Sequence, residues 1–442
     1  MSATDDTDDT QGEAGPIAPV ARIGWRGLLP VFLHPYRAYR RLHARHGPTF
    51  MVDRPGRRSL VFTADEALAW RVLVDHAAAI QRPPNVIRSV FQVIVGENIV
   101  ASAGTEWTGK RQRGTHRLRE ATVEEDQQGA LGECVRELRR DLAAAITESR
   151  TVGEVDLLPA VERYSLAAAI RLIARQEVDP DGREFAELLA AMREIMHATQ
   201  RIADLRKQMF LYALVPAARR RMDRRRMRSV EGAVRRIAAF EPDPEVRELF
   251  MAGYENPSTT LTWALALLAG EPGWQARVRA EARSIPRLGD APVPLADFAR
   301  LEVADAVVRE TARLRPAIAY LARQAREDVV VDGLHLARGT HVIVVPWCLH
   351  MDPRRWPDPD RFDPGRFLAG AAPARLWSFG VGPRACVGTR YALQVLVAAL
   401  AAIADDAVWS LAPGFEPPAP SGRFPWSEKI RCRLALREAP RP

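Results

Sequence analysis

The sequence predicts a mainly α-helical fold with a small β region, formed by a single domain. Apolar residues recur at helical spacing through much of residues 125–282, with proline and glycine breaks near 179–182 and 241–244. Short runs rich in β-branched residues at 59–63 and 328–345 predict strands, and an Asp-Gly pair predicts a hairpin turn in the second run. From about residue 25 onward no low-complexity linker or internal repeat divides the chain.

We predict that residues 1–22 form a disordered acidic arm and that residues 23–442 form the single domain. The chain begins Met-Ser-Ala-Thr-Asp-Asp, which is too polar for a signal peptide or a membrane anchor. The longest apolar run, residues 395–404, is too short to span a bilayer and predicts a buried helix. We therefore expect a monomeric, cytoplasmic protein.

The charge pattern argues against a nucleic-acid partner. The net charge is +8, and the densest basic run, residues 219–228, has no interleaved aromatic residues. Such a run favours the solvated face of a helix over a nucleic-acid surface. The four cysteines are too widely spaced to predict a zinc site or a disulfide framework.

A glycine-rich loop near the C-terminus holds one of these cysteines. It reads Phe379-Gly-Val-Gly-Pro-Arg-Ala-Cys386-Val-Gly, and the helix after it is predicted to begin near Thr389. Glycines let a backbone approach a flat group, and a helix N-terminus favours a thiolate. A buried structural cysteine is the alternative interpretation. With Gly380 and Arg384 at these spacings, the loop resembles the cysteine loop of the cytochrome P450 family.

The resemblance implies a cytochrome P450 fold, with haem b between a long distal helix and the cysteine loop. Cys386 would be the axial ligand of the iron, and Phe379 and Gly380 would lie against the haem. Indole and guanidinium N–H groups donate to carboxylates, as haem propionates require. The propionate partners that the resemblance implies are Trp107, Arg111, Arg323 and Arg384. Taken alone, Trp107 is equally compatible with a core position.

A charged pair in a predicted helix over residues 304–314 adds to the resemblance. Glu310 and Arg313 are three residues apart and share a helix face. Family members lock such a pair with an arginine from a proline-rich segment, and Arg366 matches it. Gly365 stands where the family usually has glutamate. We expect these three charges to stay buried together in a structural role.

The distal helix departs from the family pattern. The family has Ala-Gly-x-Glu/Asp-Thr, whose threonine relays protons to oxygen, whereas residues 252–260 read Ala-Gly-Tyr-Glu-Asn-Pro-Ser-Thr-Thr. Gly253 and Glu255 match, but Asn256 replaces the threonine and Pro257 follows. An amide is a poorer proton relay than a hydroxyl, and proline removes the N–H that would bond the Gly253 carbonyl. The resemblance implies Gly253, Glu255 and Asn256 as catalytic residues.

Several functions are compatible with this altered helix. A monooxygenase that hydroxylates or epoxidises a mid-sized, largely apolar metabolite is the favoured hypothesis. Atypical chemistry is the second: N-oxidation of amino acids to aldoximes, peroxide use, or rearrangement of an oxygenated substrate. A haem sensor without turnover is the third.

The resemblance also implies a pocket and an electron donor. The expected pocket is largely apolar. Its predicted lining is Val86, Ile87, Val90, Phe91, Met192, Met196, residues 317–320 and residues 424–426. Met192 and Met196 are equally compatible with core packing. Electrons would come from a separate ferredoxin or flavodoxin with its NAD(P)H reductase, docked on a basic face. That face is predicted to comprise Arg111, Arg113, Arg117 and Arg119.

Overall fold

The computed structural model describes most of the chain. The described residues are 20–32, 35–54, 57–83, 95, 98–100, 102–123, 125–203, 230–285, 300–318, 320–368, 374–417 and 430–436. Helix dominates these ranges, which confirms the predicted fold class. The helices are α1 (Pro35–His46), α2 (Glu66–Trp70), α3 (Gly104–Val123), α4 (Glu125–Val152), α5 (Leu158–Ala168), α6 (Arg183–Ala203), α7 (Glu231–Phe240), α8 (Pro244–Leu268), α9 (Pro272–Arg283), α10 (Glu302–Leu314), α11 (Pro346–His350) and α12 (Thr389–Asp406).

The strands form three small sheets in the described residues. They are β1 (Ala21–Gly24), β2 (Thr49–Arg54), β3 (Arg57–Thr63), β4 (Ile80–Gln81), β5 (Val155–Asp156), β6 (Leu321–Ala325), β7 (Val329–Val331), β8 (Leu334–Leu336), β9 (His341–Val344), β10 (Ala407–Leu411) and β11 (Arg431–Leu436). The largest sheet has the order β1-β2-β3-β9-β6-β4, with parallel pairing of β1 with β2 and of β3 with β9. The β10-β11-β5 and β7-β8 sheets are antiparallel.

Helix α8 runs through the main hydrophobic core. The Asp243 side chain caps its first turn by accepting from the Glu245 N–H at 2.8 Å, and Pro244 occupies the first turn, where its missing N–H costs nothing. The helix contacts α5, α10 and α12, and most of its side chains after the first turn are buried. It is the long helix that the sequence predicted as the distal helix.

The local predictions can be compared with these elements. Helix α12 begins at Thr389 and β3 covers residues 59–63, as predicted. Asp332 and Gly333 join β7 to β8 with positive φ angles of 47° and 81°, which confirms the hairpin turn. Strand β1 begins at Ala21, so the predicted boundary between arm and domain falls inside a strand. Residues 1–19 and the basic run at 219–228 lie outside the described residues.

Candidate active site

The cysteine loop folds back on itself through backbone hydrogen bonds. The Cys386 N–H donates to the Phe379 carbonyl at 2.7 Å, and the Gly380 N–H donates to the Trp377 carbonyl at 2.9 Å. Cys386 is accessible, yet it lies deep enough that burial raises the pKa of its thiol. Hydrogen bonds from Gly388 and Thr389 oppose that rise in pKa. The start of α12 thus partly offsets the effect of burial on the thiol, and the thiolate at Cys386 stays a prediction.

Gly382 shows why this loop needs glycine. Its φ is +70°, and an added Cβ would lie 2.5 Å from the Leu73 carbonyl oxygen. The turn that follows α2 therefore packs directly against the backbone of the loop. A side chain at residue 382 would push the cysteine loop away from the Leu73 backbone.

Four arginines from distant parts of the chain converge beside the cysteine loop. The Arg384 guanidinium carbon lies 4.1 Å from the Trp107 ring centroid, and this side chain donates to the Ile99 and Ser102 carbonyls. Arg111 donates to the Ala385 carbonyl. The four arginines of this cluster are Arg82, Arg111, Arg323 and Arg384.

Mutual repulsion and burial make this cluster costly without an anionic partner. Burial, together with the charges of Arg82 and Arg384, lowers the pKa of Arg323 to about 9. Burial likewise lowers the pKa of Arg82, opposed by the charges of Glu248 and Cys386. Guanidinium groups held this way are suited to bind carboxylates.

Glu248 connects this cluster to α8, the helix predicted as the distal helix. Its carboxylate accepts from the Ile99 N–H at 2.5 Å and from the Val100 N–H at 3.1 Å. Burial raises its pKa to about 7, although both N–H groups and the charges of Arg82 and Lys110 oppose the rise. The carboxylate therefore holds the segment whose carbonyls bind Arg384.

One accessible stripe interrupts the buried length of α8. Among residues 246–268, only Ala252, Glu255, Asn256 and Leu267 are not buried, and the first three are spaced to share one helix face. Glu255 is enclosed well enough that burial raises its pKa to about 7. It is thus a carboxyl group able to gain and lose a proton near neutral pH.

Gly253 faces away from that stripe. An added Cβ would lie 2.5 Å from Ile173 Cδ1 and 3.2 Å from Tyr391 Cε1, so the glycine permits α8 to pack closely against Ile173 and against α12. This contact explains through packing why residue 253 is a glycine, in addition to the catalytic role predicted from the sequence. That catalytic role stays a prediction.

Asn256 and Pro257 change the hydrogen bonding of α8 without ending the helix. The Asn256 amide donates to the Ala252 carbonyl at 3.3 Å, and Pro257 has no N–H to donate to the Gly253 carbonyl. The Thr260 hydroxyl donates to the Asn256 carbonyl at 2.9 Å. Thr260 is therefore engaged with its own helix, one turn beyond the position that the family threonine occupies.

The predicted charge trio is present and buried. Glu310 and Arg313 form a bidentate pair at 2.6 and 2.8 Å, with both side chains 0% exposed. Arg366 Nε lies 3.4 Å from Glu310, and the Asp363 N–H donates to the same carboxylate at 2.9 Å. Arg313 also donates to three carbonyls, those of His350, Pro359 and Arg361. The trio ties α10 to the segment before the cysteine loop.

His350 completes this connection. Its Nε2 accepts from the Trp377 N–H at 2.8 Å, so the proton is on Nδ1, which lies 3.1 Å from the Arg313 carbonyl. Burial and the Arg313 charge lower the pKa of His350 to about 3, which keeps the ring neutral. The Ser378 hydroxyl adds a bond to the Ala312 carbonyl at 2.6 Å. Helix α10 therefore positions the start of the cysteine loop.

These residues fit a haem. The accessible Cys386 offers a sulfur ligand in a loop of backbone donors, and the arginine cluster offers cations for two propionates. In the described residues, only Glu248 is a carboxylate that couples electrostatically to Arg82. Haem propionates would be bound by the guanidinium groups of this cluster. No cluster of three or more His, Cys, Asp or Glu suited to a metal ion occurs in the described residues.

Other predicted residues are only partly described. Met192 and Met196 are 0% and 3% exposed within the core, which favours the packing interpretation over the pocket interpretation. Residues 317, 318 and 320 are half-buried. The predicted lining at 86–91 and 424–426 lies outside the described residues.

The predicted basic face on α3 is largely committed to contacts within the fold. Arg111 bonds to the cysteine loop, Arg113 pairs with Glu245 at 2.6 Å, and Arg117 donates to the Ile173 carbonyl at 2.8 Å. Arg119 is exposed. The face therefore presents less unpaired positive charge than the sequence indicated.

Sequence reasoning missed Arg82, Glu248 and the role of His350. Glu248 could have been found from its spacing. It precedes Glu255 by seven residues, and residues seven apart lie on the same face of a helix. Arg82 follows β4 in no recognisable pattern, and only the fold brings it to the cluster.

Known proteins share this architecture. A family model described as cytochrome P450 matches residues 19–237 and 243–423. Rat cytochrome P450 4V2 is 34% identical over 154 residues, which cover 34% of this chain and 29% of that protein. Rice cytochrome P450 714B2 is 34% identical over 174 residues, 38% of this chain and 32% of that protein. The matches thus span about a third of the length of these curated relatives.

Structural comparison agrees with the family model. A zebrafish cytochrome P450 solved with progesterone has a TM-score of 0.72 and 23% identity, and the match covers 92% of this chain and 100% of that one. In the described part of the chain, no helix is long and apolar enough to cross a membrane. The chain belongs to the cytochrome P450 family.

Proposed function

We propose that the protein is a haem-thiolate monooxygenase acting on a mid-sized, largely apolar small molecule. It would hydroxylate or epoxidise that molecule with one oxygen atom from O2. The two electrons would come from a separate ferredoxin or flavodoxin and its NAD(P)H reductase. Bound haem would supply the oxygen-activating chemistry.

The accessible stripe on α8 carries this proposal. Glu255 is the titratable member of that stripe, with Ala252 one turn before it, and its pKa near 7 suits proton delivery at neutral pH. A sensor without turnover has no need of an acid whose pKa is adjusted in this way. The arginine cluster would hold the propionates, and Cys386 would ligate the iron, kept in place by the Phe379 carbonyl and the start of α12.

The electron donor would approach the cysteine side of the molecule. Arg119 on α3 and Arg390 at the start of α12 are both exposed, and α3 contacts α12. Two such cations favour an acidic partner, and their contribution would weaken as salt is added.

The test has a spectroscopic and a chemical part. The reduced protein with carbon monoxide should give the spectrum of a thiolate-ligated haem, and Cys386→Ser should lose it. With surrogate ferredoxin and reductase under isotopically labelled O2, product from the best-binding apolar ligand should contain one labelled oxygen atom. Ligands would be found by the shift of the Soret band to shorter wavelength. A haem protein that consumes no NAD(P)H with any ligand that shifts this band would contradict the proposal.

One observation favours a second candidate, peroxide use or rearrangement of an oxygenated substrate. The Asn256 amide is bonded to the Ala252 carbonyl, and the usual relay hydroxyl is missing at this position. Peroxide use would give faster product formation with peroxide than with O2 and NAD(P)H, whereas rearrangement would need neither. Both would be insensitive to Glu255→Gln. The same assays with O2 plus NAD(P)H, with peroxide and with neither distinguish these functions.

A further inference from the structure

A group of buried hydrogen-bond donors comes from α1, α8, α11 and the residue that follows α10. Tyr36, Trp263 and Trp347 are 3%, 6% and 6% exposed. Tyr36 Oη, Trp263 Nε1, Trp347 Nε1 and Arg315 Nε are all buried and have no hydrogen-bond partner in the described part of the chain. Buried donors of this kind are rare in native proteins and indicate an acceptor that belongs there.

The donors lie close to one another. The Tyr36 and Trp347 rings stack with centroids 4.5 Å apart, and the Arg315 guanidinium carbon lies 5.1 Å from the Trp263 ring centroid. Tyr36 and Arg315 interact electrostatically, which joins the two pairs. Tyr39, whose Oη is also buried and unbonded in the described residues, couples to Tyr36.

Arg315 makes this group cationic. It follows α10, and its guanidinium donates to the carbonyl of the preceding Leu314 at 3.1 Å. Among the described residues no Asp or Glu forms an ion pair with it, and burial lowers its pKa to about 10. A buried cation without a counter-charge is strongly destabilising, so an anion at this position would offset a large cost.

The group adjoins the segment predicted to line the substrate pocket. Only Pro316 separates Arg315 from residues 317–320, and Tyr320 couples electrostatically to Tyr39. The surroundings are apolar, since Tyr36, Tyr39 and Trp347 belong to a cluster with Leu28, Phe62 and Leu314. A ligand with one anionic end and an apolar body matches both features.

We propose that Arg315, Tyr36 and Trp263 bind the carboxylate of an organic acid. A carboxylate accepts from a guanidinium and from hydroxyl or indole donors at once, which is the donor set present here. Where the carboxylate belongs to the substrate, this inference rests on the proposed function and names its substrate class. Where it belongs to a free small acid, the same donors bind it independently of catalysis.

The experiment measures thermal unfolding of the haem-loaded protein with decanoate, decanol, acetate and phosphate. Decanoate should raise the midpoint in the wild type and decanol should not. In Arg315→Leu the dissociation constant for decanoate should be at least about tenfold larger, because a charge-assisted hydrogen bond is lost. Tyr36→Phe removes only a hydroxyl and should weaken decanoate binding less than Arg315→Leu does. It replaces Arg315→Leu in the test if that variant does not fold. The matched control is Arg277→Leu, an exposed arginine 4.2 Å from the Trp274 ring centroid, which should leave binding unchanged.

The outcomes separate the sources of the carboxylate. Protection by decanoate alone supports the carboxylate of an apolar substrate, and equal protection by acetate supports a free small acid. Protection by phosphate only, no protection by any ligand, or equal decanoate affinity in Arg315→Leu would overturn the inference. Because unfolding needs no turnover, failure of the proposed monooxygenase would show instead in the carbon monoxide spectrum and the product assay.

Discussion

Replacing Glu310 with glutamine tests whether the buried charge trio holds the cysteine loop in place. Glu310 accepts from Arg313 at 2.6 and 2.8 Å and from the Asp363 N–H at 2.9 Å, and Arg366 lies 3.4 Å away. Glutamine keeps the shape but removes the negative charge, so Arg313, which is 0% exposed, loses its counter-ion. Breaking a buried pair on one side costs about 3–5 kcal/mol, and we expect Glu310→Gln to lose that much free energy of unfolding.

The assay is urea unfolding followed by far-ultraviolet circular dichroism and by the Soret band. The Soret band should be lost at lower urea than the helical signal in Glu310→Gln, because Arg313 and His350 tie α10 to the cysteine loop. In the wild type the two transitions should lie closer together.

A matched surface pair provides the control. Arg183 and Glu187 lie 2.7 Å apart with side chains 91% and 49% exposed, so Glu187→Gln should cost less than about 1 kcal/mol. A loss in Glu310→Gln no larger than in this control would refute the argument from burial. If Glu310→Gln does not fold, Arg366→Gln tests the looser contact and should give a smaller loss of the same kind.

Three further predictions concern α8. In the wild type, the rate of product formation should decline as the pH rises through about 7, because Glu255 loses its proton there. Glu255→Gln should slow product formation below pH 7 about tenfold or more and should remove this decline. The folded protein keeps a proton on Glu248 to about pH 7, above the ordinary value of 4.5, so wild-type stability should fall as the pH rises between these values and then level off. Unfolding measured at several pH values should show a smaller fall in Glu248→Gln, and equal falls would contradict this. Gly253→Ala should cost about 1–3 kcal/mol, because its Cβ would lie 2.5 Å from Ile173 Cδ1; adding Ile173→Val removes that atom and should recover part of the loss in urea unfolding.

Much of the site was predictable because its key groups follow local spacings. The cysteine loop, the Glu310–Arg313 pair and Thr389 at the start of α12 each depend on residues within a few positions of one another. A turn or one helix face fixes such groups relative to each other whatever the rest of the fold does. Arg366 was predictable only through the resemblance, since it lies 53 positions after Arg313 along the chain.

Other features depend on which side chains meet across the fold. Arg82 reaches the arginine cluster only because β4 pairs with β6, and Gly253 is packed tightly because α8 lies against Tyr391 of α12. The basic face predicted on α3 was overestimated for the same reason, since partners such as Glu245 and the Ala385 carbonyl come from distant segments.

The sequence by itself therefore determined the helical fold, the glycine-rich cysteine loop and the unusual Asn256-Pro257 sequence, because short-range patterns encode them. Only the tertiary structure decided the raised pKa of Glu255 and of Glu248 and the burial of Arg315. Burial and electrostatic partners set these properties, and both arise from elements far apart in the chain.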